Sequence, residues 1–447
     1  MRAYLARVRA FGRDARLYLI SSVLFGFLFS LQYLFFNLYL RSLGFGQDFM
    51  GILASIPALV TMVLALPAGF LVERIGYRRA MLLGAGLQGL AILGWCFLPL
   101  RPWMAGASLL AGIGGTLSWI SGAPFLTEAS EESERAHLFG VQAGLGVVAG
   151  VLGSVAGGFL PRMYSTLFGI APEGPEAYRG VLLFAFGLLI LAATPLLHIR
   201  AGQGRPPPRL REVLAHREVL SRLLLITGLI GLGAGLLMPF VNIFFKLRFG
   251  VPDPVLGSIF AANSLLMGLG NFSAPPLAER FGKVRTMVWS QAASLPFLLL
   301  WGFGPGLGWS VAGYLVRTPL MNLAAPVFSL FSMELVPPRL RDGLSGVLLL
   351  SWNGGWALGS FASGFVQVRW GFTPLFSLTA ILYALAILYT HRSFGSSKVR
   401  DPVYPPLSEE LHQSLRPGRH FWREAFPQGE IGGLHPDENH LPRQLSK

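Results

Sequence analysis

The chain has 447 residues, of which 53% are hydrophobic and only 13% are charged, and its mean hydropathy is +0.55. Soluble proteins carry about 25% charged residues, so this composition excludes an ordinary soluble domain and indicates an integral membrane protein, for which 55 glycines are also typical. One cysteine, Cys96, excludes an intramolecular disulfide, and the net charge of +14 raises the question of a nucleic-acid partner.

Twelve apolar runs are long enough to cross a bilayer, because a hydrocarbon core of about 30 Å takes about 20 apolar residues per helix. The first six lie near 17–40, 47–72, 80–99, 103–127, 137–160 and 178–198, and the others near 223–245, 254–278, 286–303, 307–333, 343–367 and 372–390. The first run is too long for a cleaved signal peptide. We therefore predict an all-α polytopic membrane protein with twelve transmembrane helices.

The runs divide the chain into five predicted parts. These are an N-terminal segment (1–16), a six-helix bundle (17–199), a charged, proline-bearing linker (200–222), a second six-helix bundle (223–391) and a polar C-terminal tail (392–447). The tail has too few apolar residues to form a core of its own and is predicted to be disordered.

Lysine and arginine are distributed unevenly between the two sides of the predicted membrane. The segments on the side of the N terminus hold twenty of them before the tail, and the opposite loops hold seven. Positive loops stay inside, so both termini and the linker are predicted to be cytoplasmic, in the plasma (inner) membrane. The basic residues thus report topology, and the nucleic-acid interpretation is rejected.

The two halves of the sequence are related by an internal repeat. The segment GFLVERIGYRR (69–79) aligns with PPLAERFGKVR (275–285) at an offset of 206, with five identities in eleven. The same offset brings Glu128 and Arg135 onto Glu334 and Arg341, and near the start NLYLR (37–41) faces NIFFK (242–246). Six helices per repeat is an even number, so both halves are predicted to run in the same direction through the membrane.

The segment 69–79, of the form G-x-L-x-[DE]-R-x-G-x-R-R, resembles the most widespread motif of the major facilitator superfamily, with Glu73 where that family more often has aspartate. The Glu-x6-Arg pairs resemble the family's charged turns after helices four and ten. The resemblance covers about residues 17–391 and implies two parallel six-helix repeats with alternating access. It also implies a conformational latch formed by Gly69, Glu73, Arg74, Gly76, Arg78, Arg79, Glu128, Arg135, Glu279, Arg280, Gly282, Arg285, Glu334 and Arg341.

In this latch, Glu73 would face the positive N-terminal end of the eleventh helix, with Arg74 or Arg341 separating it from Asp342. Glu279 would make the mirrored contact with the fifth helix. A plainer interpretation is a solvated positive turn, although that interpretation does not require an acid among the basic residues in both repeats.

The fifth span, GVQAGLGVVAGVLGSVAGG (140–158), carries small residues at four-residue spacing. Its end, GSVAGG, is similar to the antiporter motif of the superfamily's drug exporters, but Ser154 stands where proline is expected. Simple close packing of helices explains the glycines equally well.

Arg317 is the one charge at the middle of a predicted span. Burying an unpaired guanidinium is costly, so either it faces a cavity or a ligand, or it is a structural, hydrogen-bonded arginine. The spans contain no aspartate, glutamate or histidine at middle depth, which leaves no candidate for a carboxylate relay. The candidate cavity residues are Gln32, Asn37, Trp119, Gln142, Asn242, Asn263, Arg317, Asn322, Trp352, Asn353 and Trp356.

These residues predict an aromatic cavity with few hydrogen-bonding groups and one cation, which suits an amphipathic or weakly anionic molecule. We predict a secondary transporter, acting as a monomer and without cofactor or metal, that exports a small organic solute with or without a coupling ion. The alternatives are an uptake carrier or uniporter for a small organic anion, and a non-transporting sensor or lipid-processing protein. No Walker lysine loop or catalytic constellation is present, so an enzyme is not predicted.

Overall fold

The computed structural model describes residues 11–200, 202, 213–214 and 216–395, and all regular secondary structure within them is helical. The first half contains α1 (Arg13–Ser42), α2 (Gln47–Ile75), α3 (Tyr77–Phe97), α4 (Arg101–Glu128), α5 (Glu132–Phe168) and α6 (Pro175–Leu197). The second half begins with α7, whose segments Arg217–Leu237 and Val241–Phe249 are joined by the 3-10 turn Met238–Phe240. It continues with α8 (Asp253–Phe281), α9 (Lys283–Phe303), α10 (Leu307–Glu334), α11 (Arg341–Trp370) and α12 (Thr373–Phe394).

The predicted N-terminal segment, linker and tail lie largely outside the described residues. Nine helices of the described part are long and apolar enough to cross a membrane. The other three, α9 to α11, have 21, 28 and 30 residues and carry more polar side chains. Large apolar side chains such as Trp289 and Leu358 are exposed on the outside of the bundle, where a bilayer, unlike water, would cover them at no cost.

Each half repeats the packing of the other. In the first half α1 packs on α5 and α6, α2 on α4, and α3 on α4 and α6; in the second half the equivalent helices six positions later make the same pairs. The main contacts between the halves join α2 to α11 and α5 to α8. The predicted arrangement of two parallel six-helix repeats is confirmed.

Close glycine contacts form both interfaces between the halves. A Cβ on Gly51 of α2 would lie 2.7 Å from Ser360 O and 2.9 Å from Gly364 Cα of α11. The repeat-related residue Gly257 of α8 meets Ser154 O and Gly158 Cα of α5 in the same way. Since only glycine leaves room for such an approach of two helix backbones, these two crossings fix where the halves touch.

The halves are in contact toward one end of the bundle and apart toward the other. The glycine crossings lie toward the end that carries the loops at Gly44, Gly169 and Gly250, here named the closed end. The other end, named the charged-turn end, carries the turns at Gly76 and Gly282, where φ is +79° and +84°; such values favour glycine and explain its presence in both repeats. Toward that end the structure leaves open space around the interface glycines Gly140, Gly144 and Gly346.

Candidate functional site

Two repeat-related asparagines close the bundle between α1 and α7. Asn37 Nδ2 donates to Pro239 O at 2.5 Å, and Asn242 Nδ2 donates to Leu34 O at 2.8 Å. The offset of 205 that relates the two asparagines also relates Leu34 to Pro239, so the pair of bonds is reciprocal. Pro239 interrupts α7 because it has no backbone N–H, and the resulting turn presents its carbonyl to α1. We call this pair of bonds the asparagine clasp.

A charged cluster joins the halves at the closed end. Lys246 Nζ lies 2.7 Å from Asp253 Oδ1 and 2.6 Å from Glu173 Oε1, and Tyr178 Oη donates to Asp253 Oδ2 at 3.2 Å. Lys246 and Asp253 belong to the second half, and Glu173 and Tyr178 to the first. Because the side chains of Lys246 and Asp253 are 8% and 3% exposed, each charge depends on the other for compensation.

A cavity of about 460 Å³ lies directly below this closure, between the halves. Helices α7 to α12 form most of its wall, and the first half contributes only Ser30 and Tyr33 of α1 and Ser154 of α5. Tyr33 packs against Phe260, which packs against Tyr314, and Tyr33 Oη donates to Met238 O at 2.7 Å. These side chains close the cavity on the side of the asparagine clasp.

Among the described residues that line the cavity, Arg317 is the only charged one. It is 2% exposed. Its Nη2 donates to Tyr383 Oη at 2.9 Å, its Nη1 lies 3.7 Å from Met238 Sδ, and its guanidinium carbon lies 5.3 Å from the centre of the Tyr383 ring. Within the described residues its Nε has no partner. The arginine is therefore buried and positioned, and its charge is not paired with a carboxylate in the part of the chain that the structure describes.

Five of the eleven predicted cavity residues line this cavity. They are Asn263, Arg317, Asn322, Trp352 and Trp356. Asn353 lines, together with the same two tryptophans, a smaller cleft of about 290 Å³ between α2 and α11. The five that line the main cavity all belong to the second half, which also supplies most of the observed wall.

The remaining candidates take other positions. Asn37 and Asn242 form the clasp, Gln32 accepts a hydrogen bond from Gln88 Nε2 at 3.3 Å, Gln142 lies on α5 near the Tyr18 hydroxyl, and Trp119 lies on α4 with 73% of its surface exposed. None of these residues is among those that line the main cavity in the described part of the chain, where the first half contributes Ser30, Tyr33 and Ser154 instead.

The predicted latch residues lie at the open, charged-turn end. Glu73, Arg74 and Arg79, like Glu279, Arg280 and Arg285, are exposed, whereas Gly69, Gly76 and Arg78 are partly buried and Gly282 is exposed. The observed contacts of Arg78 and Glu334 stay within one half: Arg78 donates to Leu197 O at 2.6 Å and Lys283 binds Glu334 at 2.5 Å. Glu128 is exposed, whereas its repeat-related Glu334 is buried.

Arg135 and Arg341 make the same contact in the two halves. Arg135 Nη2 donates to Thr127 O at 3.3 Å, and Arg341 Nε donates to Met333 O at 3.1 Å. Each arginine thus reaches back eight residues to the C-terminal end of α4 or α10, where carbonyl groups lack helical partners and favour a cation. In this conformation both arginines stabilise helix ends.

The glycine-rich segment of α5 has two kinds of neighbour. Gly153 and Gly157 pack on α1, while Gly150 and Gly158 pack on α8. Ser154 belongs to the cavity wall. Close packing of helices therefore accounts for this part of the segment GSVAGG.

Sequence reasoning missed three features of the site. Tyr383 and Tyr314 were not candidates, because single tyrosines in apolar spans resemble lipid-facing or core residues. The Lys246–Asp253 pair was not a candidate, since both residues lie between predicted spans and burial by the other half is not visible in the chain. The clasp had a signal, the alignment of Asn37 with Asn242, although that alignment does not say what the two amides bind.

The sequence pattern described as Major Facilitator Superfamily matches the chain twice, over residues 18–222 and 223–430. The two matches coincide with the two six-helix halves. The chain belongs to the major facilitator superfamily. Members of this superfamily are multi-pass membrane transporters of small molecules, so the chain is a secondary transporter that works by alternating access.

Solved structures of the superfamily share this fold at low sequence identity. A bacterial homologue of the human lysosomal transporter Spinster, inward-facing and occupied, has a TM-score of 0.70 at 14% identity and covers 88% of this chain and 98% of its own. A bacterial homologue of the iron transporter ferroportin, inward-facing, has a TM-score of 0.69 at 13% identity and covers 85% of this chain and 98% of its own. The nucleoside transporter NupG has a TM-score of 0.66 at 14% identity and covers 85% of this chain and 98% of its own. No curated protein matches the chain.

Proposed function

We propose that this major facilitator transporter exports a small, amphipathic organic solute, which binds in the cavity around Arg317. The observation that carries the proposal is the position of that cavity: it lies between the halves, below a closed end and beside glycine crossings about which the halves can rock. Its wall combines apolar and aromatic side chains with polar ones, among them Gln291, Thr318 and Asn322, and such a mixture suits an amphipathic organic ligand.

The orientation is part of the proposal. The excess of lysine and arginine at the charged-turn end supports a cytoplasmic position for that end and for both termini. In a plasma (inner) membrane the structure would then correspond to an inward-open state, from which a cytoplasmic solute can enter the cavity. A monomer is sufficient, because both halves of the site belong to one chain.

Uptake of a small organic anion is the second candidate, and the unpaired charge of Arg317 favours it. The alternative of a sensor or lipid-processing protein rested on the tail and is not retained for a chain of this transporter family. Oriented proteoliposomes separate the first two: solutes that raise the unfolding temperature of the purified protein are loaded on either side and their flux is measured. Export predicts faster net flux from the charged-turn side; faster net flux in the opposite direction would contradict it.

The charged-turn residues are proposed to form the latch of the opposite state, in which this end closes. In that state Glu73 would meet the N-terminal end of α11 and Glu279 that of α5; exposed contacts of this kind contribute about 1 kcal/mol each. A Glu73→Gln/Glu279→Gln variant is therefore expected to populate the open charged-turn end more fully, because a two-state equilibrium shifts by the sum of such differences.

The reporter for this test is a Cys96→Ala/Gly144→Cys variant. Gly144 has open space around it and lies one turn from Val147, which contacts α8 at Gly268, so closure of this end would cover the new thiol. Thiol labelling is expected to be about threefold to tenfold faster with the two glutamine substitutions. Glu176→Gln, an exposed glutamate at the closed end, is the control. An unchanged labelling rate in the double variant would contradict the proposed latch.

A further inference from the structure

The cavity contains one charge that the described part of the protein does not neutralise. Arg317 is almost fully buried, and its contacts are a phenol hydroxyl, a thioether sulfur and an aromatic ring. None of these groups carries a negative charge at neutral pH. A guanidinium does not lose its proton in proteins, so Arg317 remains cationic although it is almost fully buried. Charges in such places mark ligands or transport pathways.

The unsatisfied atom of Arg317 indicates where a ligand would bind. Nη2 is occupied by Tyr383, whereas Nε has no hydrogen-bond partner in the described residues. Buried N–H groups without partners are rare in native proteins. Nε is buried, so an anionic group reaches it only when the side chains that cover it shift. There it would satisfy this donor and compensate the charge, and charge-assisted bonds of guanidinium to carboxylate or phosphate oxygens are among the strongest available.

A second unsatisfied atom lies in the same wall. Asn263 is 8% exposed and its Oδ1 has no partner in the described residues, while its Nδ2 is directed at Met267 Sδ at 3.6 Å. A carbonyl oxygen accepts hydrogen bonds, so it requires a hydroxyl or an N–H on the ligand. The same wall carries apolar side chains, Phe260, Met321 and Phe328 among them, which can contact the apolar part of a ligand.

From these observations, and resting on the proposed function, we infer that the substrate is an amphipathic organic monoanion that also carries a hydrogen-bond donor. Its anionic group pairs with Arg317 and its donor binds Asn263 Oδ1. One unpaired positive charge matches one negative charge. A cationic ligand would meet repulsion, and a neutral one would leave the buried guanidinium uncompensated.

The first experiment needs no ligand. If Arg317 serves to bind a ligand, its uncompensated buried charge lowers the stability of the ligand-free protein. Arg317→Gln is then expected to leave the unfolding temperature of the purified protein unchanged or to raise it. A structural arginine predicts the opposite, a clear fall. Arg369→Gln, which removes an exposed charge from α11, is the control for lost charge alone. A fall in the unfolding temperature with Arg317→Gln but not with Arg369→Gln would overturn the inference.

The second experiment uses ligands that differ only in charge and donor. The full-length protein is titrated with 3-(4-hydroxyphenyl)propanoate, its propanamide analogue, tyramine and 3-phenylpropanoate. Binding of the hydroxylated anion is expected to be at least tenfold tighter than that of the amide or of tyramine, and to fall at least tenfold in Arg317→Gln. In Asn263→Leu the hydroxylated and non-hydroxylated acids are expected to bind alike.

Three outcomes would overturn the inference: no binding of either acid, equal binding of the amide or of tyramine, or undiminished binding of the acids by Arg317→Gln. The proposed function is tested separately. Flux of a neutral solute in proteoliposomes that Arg317→Gln does not change would contradict the inferred anion site but not the proposed export. Anion binding without flux of any solute would support the anion site and contradict the proposed transport.

Discussion

Removal of the asparagine clasp, in an Asn37→Ala/Asn242→Ala variant, is expected to shift the protein toward a state in which the closed end is open and the charged-turn end is shut. The two amides make the reciprocal bonds to Pro239 O and Leu34 O, and these exist only while α1 and α7 are in contact. Each such bond contributes about 1 kcal/mol. Together they make about 2 kcal/mol, which corresponds to roughly a thirtyfold change in the equilibrium between the two states.

Labelling of the Cys96→Ala/Gly144→Cys reporter measures this shift. The clasp variant is expected to label at least fivefold more slowly, because closure of the charged-turn end covers position 144; the latch variant changes the same rate in the opposite direction. Asn322→Ala is the matched control, since within the described residues that amide bonds only Thr318 O of its own helix. Labelling of the clasp variant at the rate of the control would show that the clasp does not hold the closed end.

The second large effect concerns the buried ion pair of the closed end. Lys246→Met leaves the Asp253 carboxylate, with 3% of its side chain exposed, without its cation, and breaking a buried pair in this way costs about 3–5 kcal/mol. We expect a large fall in the unfolding temperature and in the yield of folded protein. In Lys246→Met/Asp253→Asn most of the loss is expected to return, because no charge remains buried and the amide oxygen still accepts from Tyr178.

Arg222 offers a control for the pair. It binds Glu218 one helical turn away, at the surface, and exposed pairs of this kind are worth less than about 1 kcal/mol. Arg222→Met is therefore expected to change the unfolding temperature little. The account of the closed end would be contradicted if the double variant were no more stable than Lys246→Met alone.

The fold was predictable because a bilayer leaves few choices. Long apolar runs had to be helices, and the offset that relates Glu73 to Glu279 required two equivalent halves in parallel. The same offset relates Gly51 to Gly257 and Gly158 to Gly364, the residues of the two crossings. A glycine in a span, however, does not reveal whether it faces another helix, lipid or open space, so the crossings were recognised only in the structure.

The site was predictable only in part. Arg317 stood out because a charge in the middle of an apolar span needs an explanation, and Asn263 and Trp352 lie where the candidates were expected, along the cavity wall. The partner of Arg317 was not predictable, since Tyr383 is 66 residues away and gives no local signal. The one-sided wall was missed as well, because the repeat suggests equal contributions while Ala111 occupies the position equivalent to Arg317.

The central claim is that the two halves exchange closure between the ends of the bundle, and spin-label distances measured at both ends test it most directly. One label pair replaces the exposed, repeat-related Arg79 and Arg285 at the charged-turn end, and the other replaces Glu176 and Arg369 at the closed end, all in a Cys96→Ala background. On addition of the clasp substitutions Asn37→Ala/Asn242→Ala, the first distance is expected to shorten while the second lengthens. Distances that stayed fixed, or that changed in the same direction at both ends, would contradict alternating access about this cavity.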